Sequence, residues 1–96
     1  MSINIVLWKF TEQGVKNIKD SPKRVQAAIK SFEAMGGKML GIYYTVGEYD
    51  LISIGEIADE KAGLAHTIAT NALGNARSTT MSAYTPAEFA EILKKI

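Results

Sequence analysis

Apolar and polar positions change their period several times along this chain, and each change marks an element. Residues 3–10, Ile-Asn-Ile-Val-Leu-Trp-Lys-Phe, are dense in β-branched and aromatic types and predict a first strand. Thr11-Glu12-Gln13-Gly14 breaks it, and Thr11 is placed to cap a short helical turn with Val15 and Ile18 on one side. Ser21-Pro22 predicts the start of the main helix, serine as the N-cap and proline in the first helical position. Val25, Ala28, Ile29, Phe32 and Met35 then recur at helical spacing and predict a buried stripe. Gly36-Gly37 ends that helix. Residues 38–46 and 50–57 read as strands, and Gly47-Glu48-Tyr49-Asp50 joins them into an antiparallel hairpin. Asp59 caps a second helix running to about Leu73, with Ala62, Ala65, Ile68, Ala69 and Ala72 as its expected inner stripe. Gly74-Asn75 stops it. Residues 76–84 predict a fourth strand with Ser78, Thr80 and Ser82 on one face. Thr85-Pro86-Ala87-Glu88 is a capping box, with Tyr84 and Phe89 in the staple positions. Phe89, Ile92, Leu93 and Ile96 stripe a final helix, and Lys94 and Lys95 suit its negative end.

The order β-α-β-β-α-β plus a terminal helix predicts an α+β, ferredoxin-like fold. Its core is a four-stranded antiparallel sheet with two helices on one face. Strict alternation then poses a problem. Ile3, Ile5 and Leu7 point to one side of strand one, and Val6, Trp8 and Phe10 to the other. In strand two, alternation puts Leu40, Ile42, Tyr44 and Val46 together and Met39 and Tyr43 opposite. A sheet with one solvated face alternates more cleanly than this. Helices cover one face only, so the other is expected to meet a second copy: a homodimer, with Tyr44 in its interface, or a higher ring.

Composition adds mainly exclusions. The 96 residues allow one domain, 1–96. There is no cysteine, which removes disulfides, thiolate catalysis and cysteine-ligated metals. Eleven basic residues, two of them arginine, balance ten acidic ones, so no basic face for nucleic acid is expected. No apolar run nears the ~20 residues of a membrane span. The start Met1-Ser2-Ile3-Asn4 lacks the features of a secretory leader. The expectation is a cytoplasmic protein with neither nucleic acid nor membrane as partner.

Several motifs together resemble the GYD-domain family of small bacterial proteins. They are residues 11–14, Asn17-Ile18-Lys19-Asp20-Ser21-Pro22-Lys23-Arg24, Gly47-Glu48-Tyr49-Asp50, Leu73-Gly74-Asn75, and 85–89. The motif that names the family reads here as Gly47, then Tyr49-Asp50 after Glu48. The resemblance implies a dimeric α+β barrel and no established biochemical activity. Ser53-Ile54-Gly55 departs from the larger apolar residues expected there, and either thins the packing or leaves room for a ligand. The hairpin with residues 74–79 is also similar to the effector-binding domain of leucine-responsive transcription regulators, whose DNA-reading helices have no counterpart here. That similarity implies ligand binding or assembly.

Five residues carry the candidate chemistry. Tyr49 and Asp50 offer a phenol and a carboxylate to a ligand, against the plainer reading that Asp50 bonds main-chain donors in a turn. Trp8 and Tyr44, with Tyr43, suit the wall of a binding cavity, against simple interface packing. His66 is the single histidine. Its neighbours at helical spacing are Ala62, Gly63, Ala69 and Thr70, none able to orient a general base, so a non-catalytic place is favoured. One histidine and scattered carboxylates do not make a metal site, and no cofactor is expected. Arg77, Lys9 and Lys38 read as solvated charge. The leading reading is a small-molecule-binding or assembly module. The alternative is a cofactor-independent monooxygenase-like enzyme, with Asn4 and Trp8 on one strand face in a cleft between helices and sheet, on likeness of fold alone.

Overall fold

The computed structural model describes residues 2–96, with Ser2 described in its backbone only. The elements are β1 (Ser2–Phe10), α1 (Glu12–Lys16), a 3-10 turn (Ile18–Asp20), α2 (Ser21–Ala34), β2 (Lys38–Tyr44), β3 (Leu51–Ile57), α3 (Glu60–Ala72), β4 (Ala76–Ala83) and α4 (Pro86–Leu93). The strands form one antiparallel sheet in the order β2-β3-β1-β4. This is the expected ferredoxin-like α+β arrangement, with α2 and α3 on one face.

Local chemistry sets most boundaries. Thr11 Oγ1 accepts from the Gly14 amide at 3.1 Å, and Asp59 Oδ1 accepts from the Lys61 and Ala62 amides at 3.0 and 3.2 Å. Each satisfies helix-start donors that would otherwise lack partners. At α4 the capping box is complete: Thr85 Oγ1 accepts from Glu88 N at 3.1 Å, and Glu88 Oε1 accepts from Thr85 N at 2.8 Å. At α2 the expected cap moves by one residue. Asp20 is the N-cap and Ser21 is the first helical residue, because the 3-10 turn feeds directly into the helix. The Ser21 hydroxyl is thereby free to meet Tyr44 Oη, 2.9 Å away.

Two faces differ from strict alternation. In β2, Met39 pairs with Gly55 and Gly41 with Ile54, so Leu40 is an extra residue in a bulge. The bulge resets the period: Met39, Ile42 and Tyr44 share the helix side, and Tyr43 lies on the outer side. In α3, Ala65, Ile68 and Ala72 of the expected inner stripe are exposed. Gly63, His66, Thr67 and Thr70 face the sheet instead. The half-buried position of the threonines is possible because their hydroxyls donate one turn back, Thr67 to Gly63 O at 3.2 Å and Thr70 to His66 O at 2.9 Å.

The packed core is thin. Val6, Phe32, Leu51 and Ile57 are the buried apolar side chains among the described residues. The outer sheet face carries Ile3, Ile5, Leu7, Ile52, Ile54, Met81 and Tyr43, of which Tyr43 is 62% exposed and Met81 43%. Phe89, Ile92 and Leu93 of α4 are exposed as well.

Candidate functional site

Between the sheet and the layer of α2 and α3 lies a cavity of about 450 Å³, within the range typical of small-molecule sites. Its floor is the helix-facing side of the two central strands. Asn4, Val6 and Trp8 of β1 pair with Gly55, Ser53 and Leu51 of β3. Its roof is Ala27, Ala28 and Ser31 of α2 with Gly63, His66, Thr67 and Thr70 of α3. Small residues dominate the roof, and on the floor Gly55 and Ser53 lie among the larger Asn4, Val6, Trp8 and Leu51. A Cβ on Gly55 would stand 3.0 Å from Phe32 Cζ. The missing side chain admits the Phe32 ring, which walls one end. Ser53 and Gly55 of the unusual Ser53-Ile54-Gly55 segment thus face the cavity, and Ile54 faces the outer side.

Polar groups are few and placed. Trp8 Nε1–H donates to Ser53 Oγ at 3.1 Å, fixing the indole against the floor. His66 Nε2–H donates to Ala28 O at 3.1 Å, and its ring stacks obliquely on Phe32, centroids 5.4 Å apart. This bond ties α3 to α2, and Nδ1 has no hydrogen-bond partner among the described residues. The Asn4 amide borders the cavity and has no hydrogen-bond partner among the described residues. Arg24 borders it too. Its Nη1 donates to Asn17 O at 2.8 Å, while Nη2 is buried without an acceptor.

The five sequence candidates separate. Trp8 and His66 line the cavity. Tyr44 lies at its edge, on the helix side of the sheet, through its bond to Ser21. Tyr49 and Asp50 stand outside the lining. The Tyr49 ring lies beneath Lys9 Nζ, 5.2 Å from its centroid, and Lys9 approaches Glu48 Oε1 at 4.0 Å. Lys9 points to the outer face, opposite Trp8. Asp50 completes backbone pairing: its N–H donates to Trp8 O and its Oδ2 accepts from Phe10 N, each at 2.8 Å. Gly47, with φ +145°, makes the tight reversal that brings Asp50 there.

Arg24 was not singled out by the sequence, although a signal existed. It is one of two arginines, and it sits three, four and seven residues before Ala27, Ala28 and Ser31, on the small-residue face of α2. Among the described residues no group of three or more histidine, aspartate or glutamate side chains is placed to hold a metal. No described helix is long and apolar enough to cross a membrane.

Comparison with known proteins agrees with this architecture. The GYD domain family matches residues 5–93. The crystal structure of FFRP-DM1 superposes with a TM-score of 0.59 at 20% identity, covering 88% of this chain and 100% of that one. The crystal structure of TTHA0845 from Thermus thermophilus superposes with a TM-score of 0.53 at 22% identity, covering 88% and 95%. At such identities the likeness is one of fold. No curated protein matches the chain significantly.

Proposed function

The chain belongs to the GYD-domain family, and we propose that it binds a small, largely apolar molecule between its helices and its sheet. One observation carries this reading: a cavity of about 450 Å³ in a chain of 96 residues whose buried apolar core, among the described residues, is four side chains. A bound molecule gains dispersion contacts along that lining, with Trp8 as an aromatic wall and the Asn4 amide and His66 Nδ1 as polar contacts for orientation.

Self-association is the second part of the proposal. The outer sheet face is a continuous apolar surface: Ile5 stands between Ile54 and Met81, and Leu7 between Ile52 and Thr79. Such a patch marks an interaction surface. A second copy meeting it face to face would use the same patch twice, as a two-fold interface does. Tyr43, on this face, takes the interface role first expected of Tyr44.

The test of the ligand reading uses 2-naphthamide, a neutral bicyclic aromatic. It is expected to raise the thermal midpoint of the wild type saturably, and to leave that of Ala28→Phe, whose ring fills the cavity from the roof, unchanged. An equal rise in both proteins would place binding elsewhere and defeat the reading.

A further inference from the structure

We infer that the molecule held in this cavity is an uncharged aromatic carbonyl compound, with its carbonyl oxygen on the Ser53 hydroxyl and the Asn4 amide. The inference rests on the ligand-binding reading above and names the class of ligand.

Ser53 has one hydrogen-bonding group to spare. Its Oγ accepts the Trp8 indole N–H at 3.1 Å. An indole nitrogen is a donor only, so the Ser53 proton cannot be returned to it. No acceptor for that proton lies in range among the described residues. Ser53 is 8% exposed and stands on the cavity floor, in a central strand. A donor largely removed from water costs free energy until an acceptor arrives. The cavity above it is where one can enter.

The Asn4 amide is the second spare group. Asn4 pairs with Gly55, and Val6 with Ser53, so Asn4 and Ser53 are diagonal neighbours on the floor. Such neighbours are roughly 7 to 8 Å apart, and the longer Asn4 side chain reaches toward a group seated on Ser53. Neither end of the amide has a partner among the described residues. Neither end is sealed, because Arg24 Nη2 is the one unpartnered side-chain atom of the described residues that is closed to water.

Charge narrows the class. No aspartate, glutamate or lysine of the described residues borders the cavity. Arg24 does, but its Nη1 is held by Asn17 O outside the lining and its Nη2 is closed. An ionised ligand would give up its hydration without meeting a fixed countercharge. The polar group is therefore neutral. A carbonyl oxygen accepts from two donors at once and brings no proton that needs an acceptor in turn. The rest of the molecule meets Val6, Trp8 and Phe32, so it is apolar and suits a flat ring.

Acetophenone, α-methylstyrene and benzoate have the same number of non-hydrogen atoms and nearly one shape. They offer the floor a carbonyl, a methylene in its place, and a carboxylate. The experiment titrates the full chain with each and follows the Val6 methyl signals by NMR. Acetophenone is expected to bind about tenfold more tightly than either of the others. A cavity without a polar seat would favour the hydrocarbon, which leaves water more readily. Trp8→Phe keeps the Ser53 hydroxyl and is expected to keep the preference for the ketone. Trp8→Phe combined with Ser53→Ala is expected to lose it; the pair is needed because Ser53→Ala alone would free the indole N–H to take the carbonyl. In the wild type, a comparison that needs no variant, α-methylstyrene or benzoate binding as tightly as acetophenone would overturn the inference and leave the cavity reading standing. Survival of the ketone preference in the folded double variant would overturn it equally. If none of the three compounds moves the Val6 signals saturably, the ligand-binding reading fails and this inference with it.

Discussion

The Asp50 carboxylate accepts a hydrogen bond from the Phe10 amide at 2.8 Å, across forty residues of chain. Asp50 N–H donates in turn to Trp8 O, also at 2.8 Å. The residue therefore extends the pairing of β3 with β1 by one step beyond Leu51, and it locks the far end of the strand that carries Trp8. Asp50→Ala removes the acceptor and leaves the Phe10 amide without a partner. The expected loss is about 1 to 3 kcal/mol, read as a lower midpoint in urea at unchanged slope. Asp50→Asn keeps a carbonyl in place and is expected to lose less. Equal midpoints for wild type and Asp50→Ala would contradict this role.

Trp8 and Ser53 form the second diagnostic pair. The indole N–H has Ser53 Oγ as its partner at 3.1 Å, on the cavity floor. Ser53→Ala is expected to cost about 1 kcal/mol and to change the fluorescence maximum of Trp8, the sole tryptophan. An unaltered emission spectrum would mean that the indole does not depend on that hydroxyl.

Self-association makes a prediction that separates the two tyrosines of β2. Tyr43 is on the bare outer face, and Tyr44 is bonded to Ser21 on the helix side. Tyr43→Asp is expected to turn a dimer into a monomer in sedimentation velocity, because a carboxylate in that patch loses its water without gaining a partner. Tyr44→Phe removes only the bond to Ser21 and is expected to stay dimeric. A wild type that sediments as a monomer at micromolar concentration would remove this part of the account.

The capping box of α4 predicts a local response to pH. The Thr85 backbone amide, and then the Thr85 side chain, hold the Glu88 carboxyl below its ordinary value of 4.5. The folded value is depressed, so the contribution of the carboxylate is complete above the unfolded value and is lost as pH falls through the lowered one. The helical chemical shifts of α4 are expected to weaken over that acidic window. Glu88→Gln does not titrate there and should show no such step. An identical acid response in the variant would assign the change to another group.

Much of this fold was legible because it is written in short-range chemistry. Thr11, Asp59 and the Thr85–Glu88 box fix helix starts through side chains that reach their own next turn. What escaped depended on events between distant segments. The bulge at Leu40 shifts β2 by one residue relative to β3, and a single step exchanges the two faces of every residue beyond it. That is why Met39, set opposite Ile42 and Tyr44 by strict alternation, shares their face in the structure. In α3 the alanines suggested the inner face, yet threonines can go inward when their hydroxyls bond back along the helix. Of the site, Trp8 and His66 could be named, and Asn4 was paired with Trp8 by strand periodicity. Arg24 entered the sequence reading only as a motif residue; its spacing to Ala27, Ala28 and Ser31 was legible, but the missing acceptor of its Nη2 appears only in three dimensions.

The claim on which the account rests is that the ligand lies on the helix side of the sheet. Val6 and Ile5 are neighbours in β1 that point to opposite faces, Val6 to the cavity and Ile5 to the bare outer surface. Intermolecular nuclear Overhauser contacts from bound 2-naphthamide distinguish them directly. The account predicts contacts to the methyl groups of Val6, Ala28 and Thr70 and to the Trp8 indole. Contacts confined to Ile5, Ile52 and Met81 would contradict it.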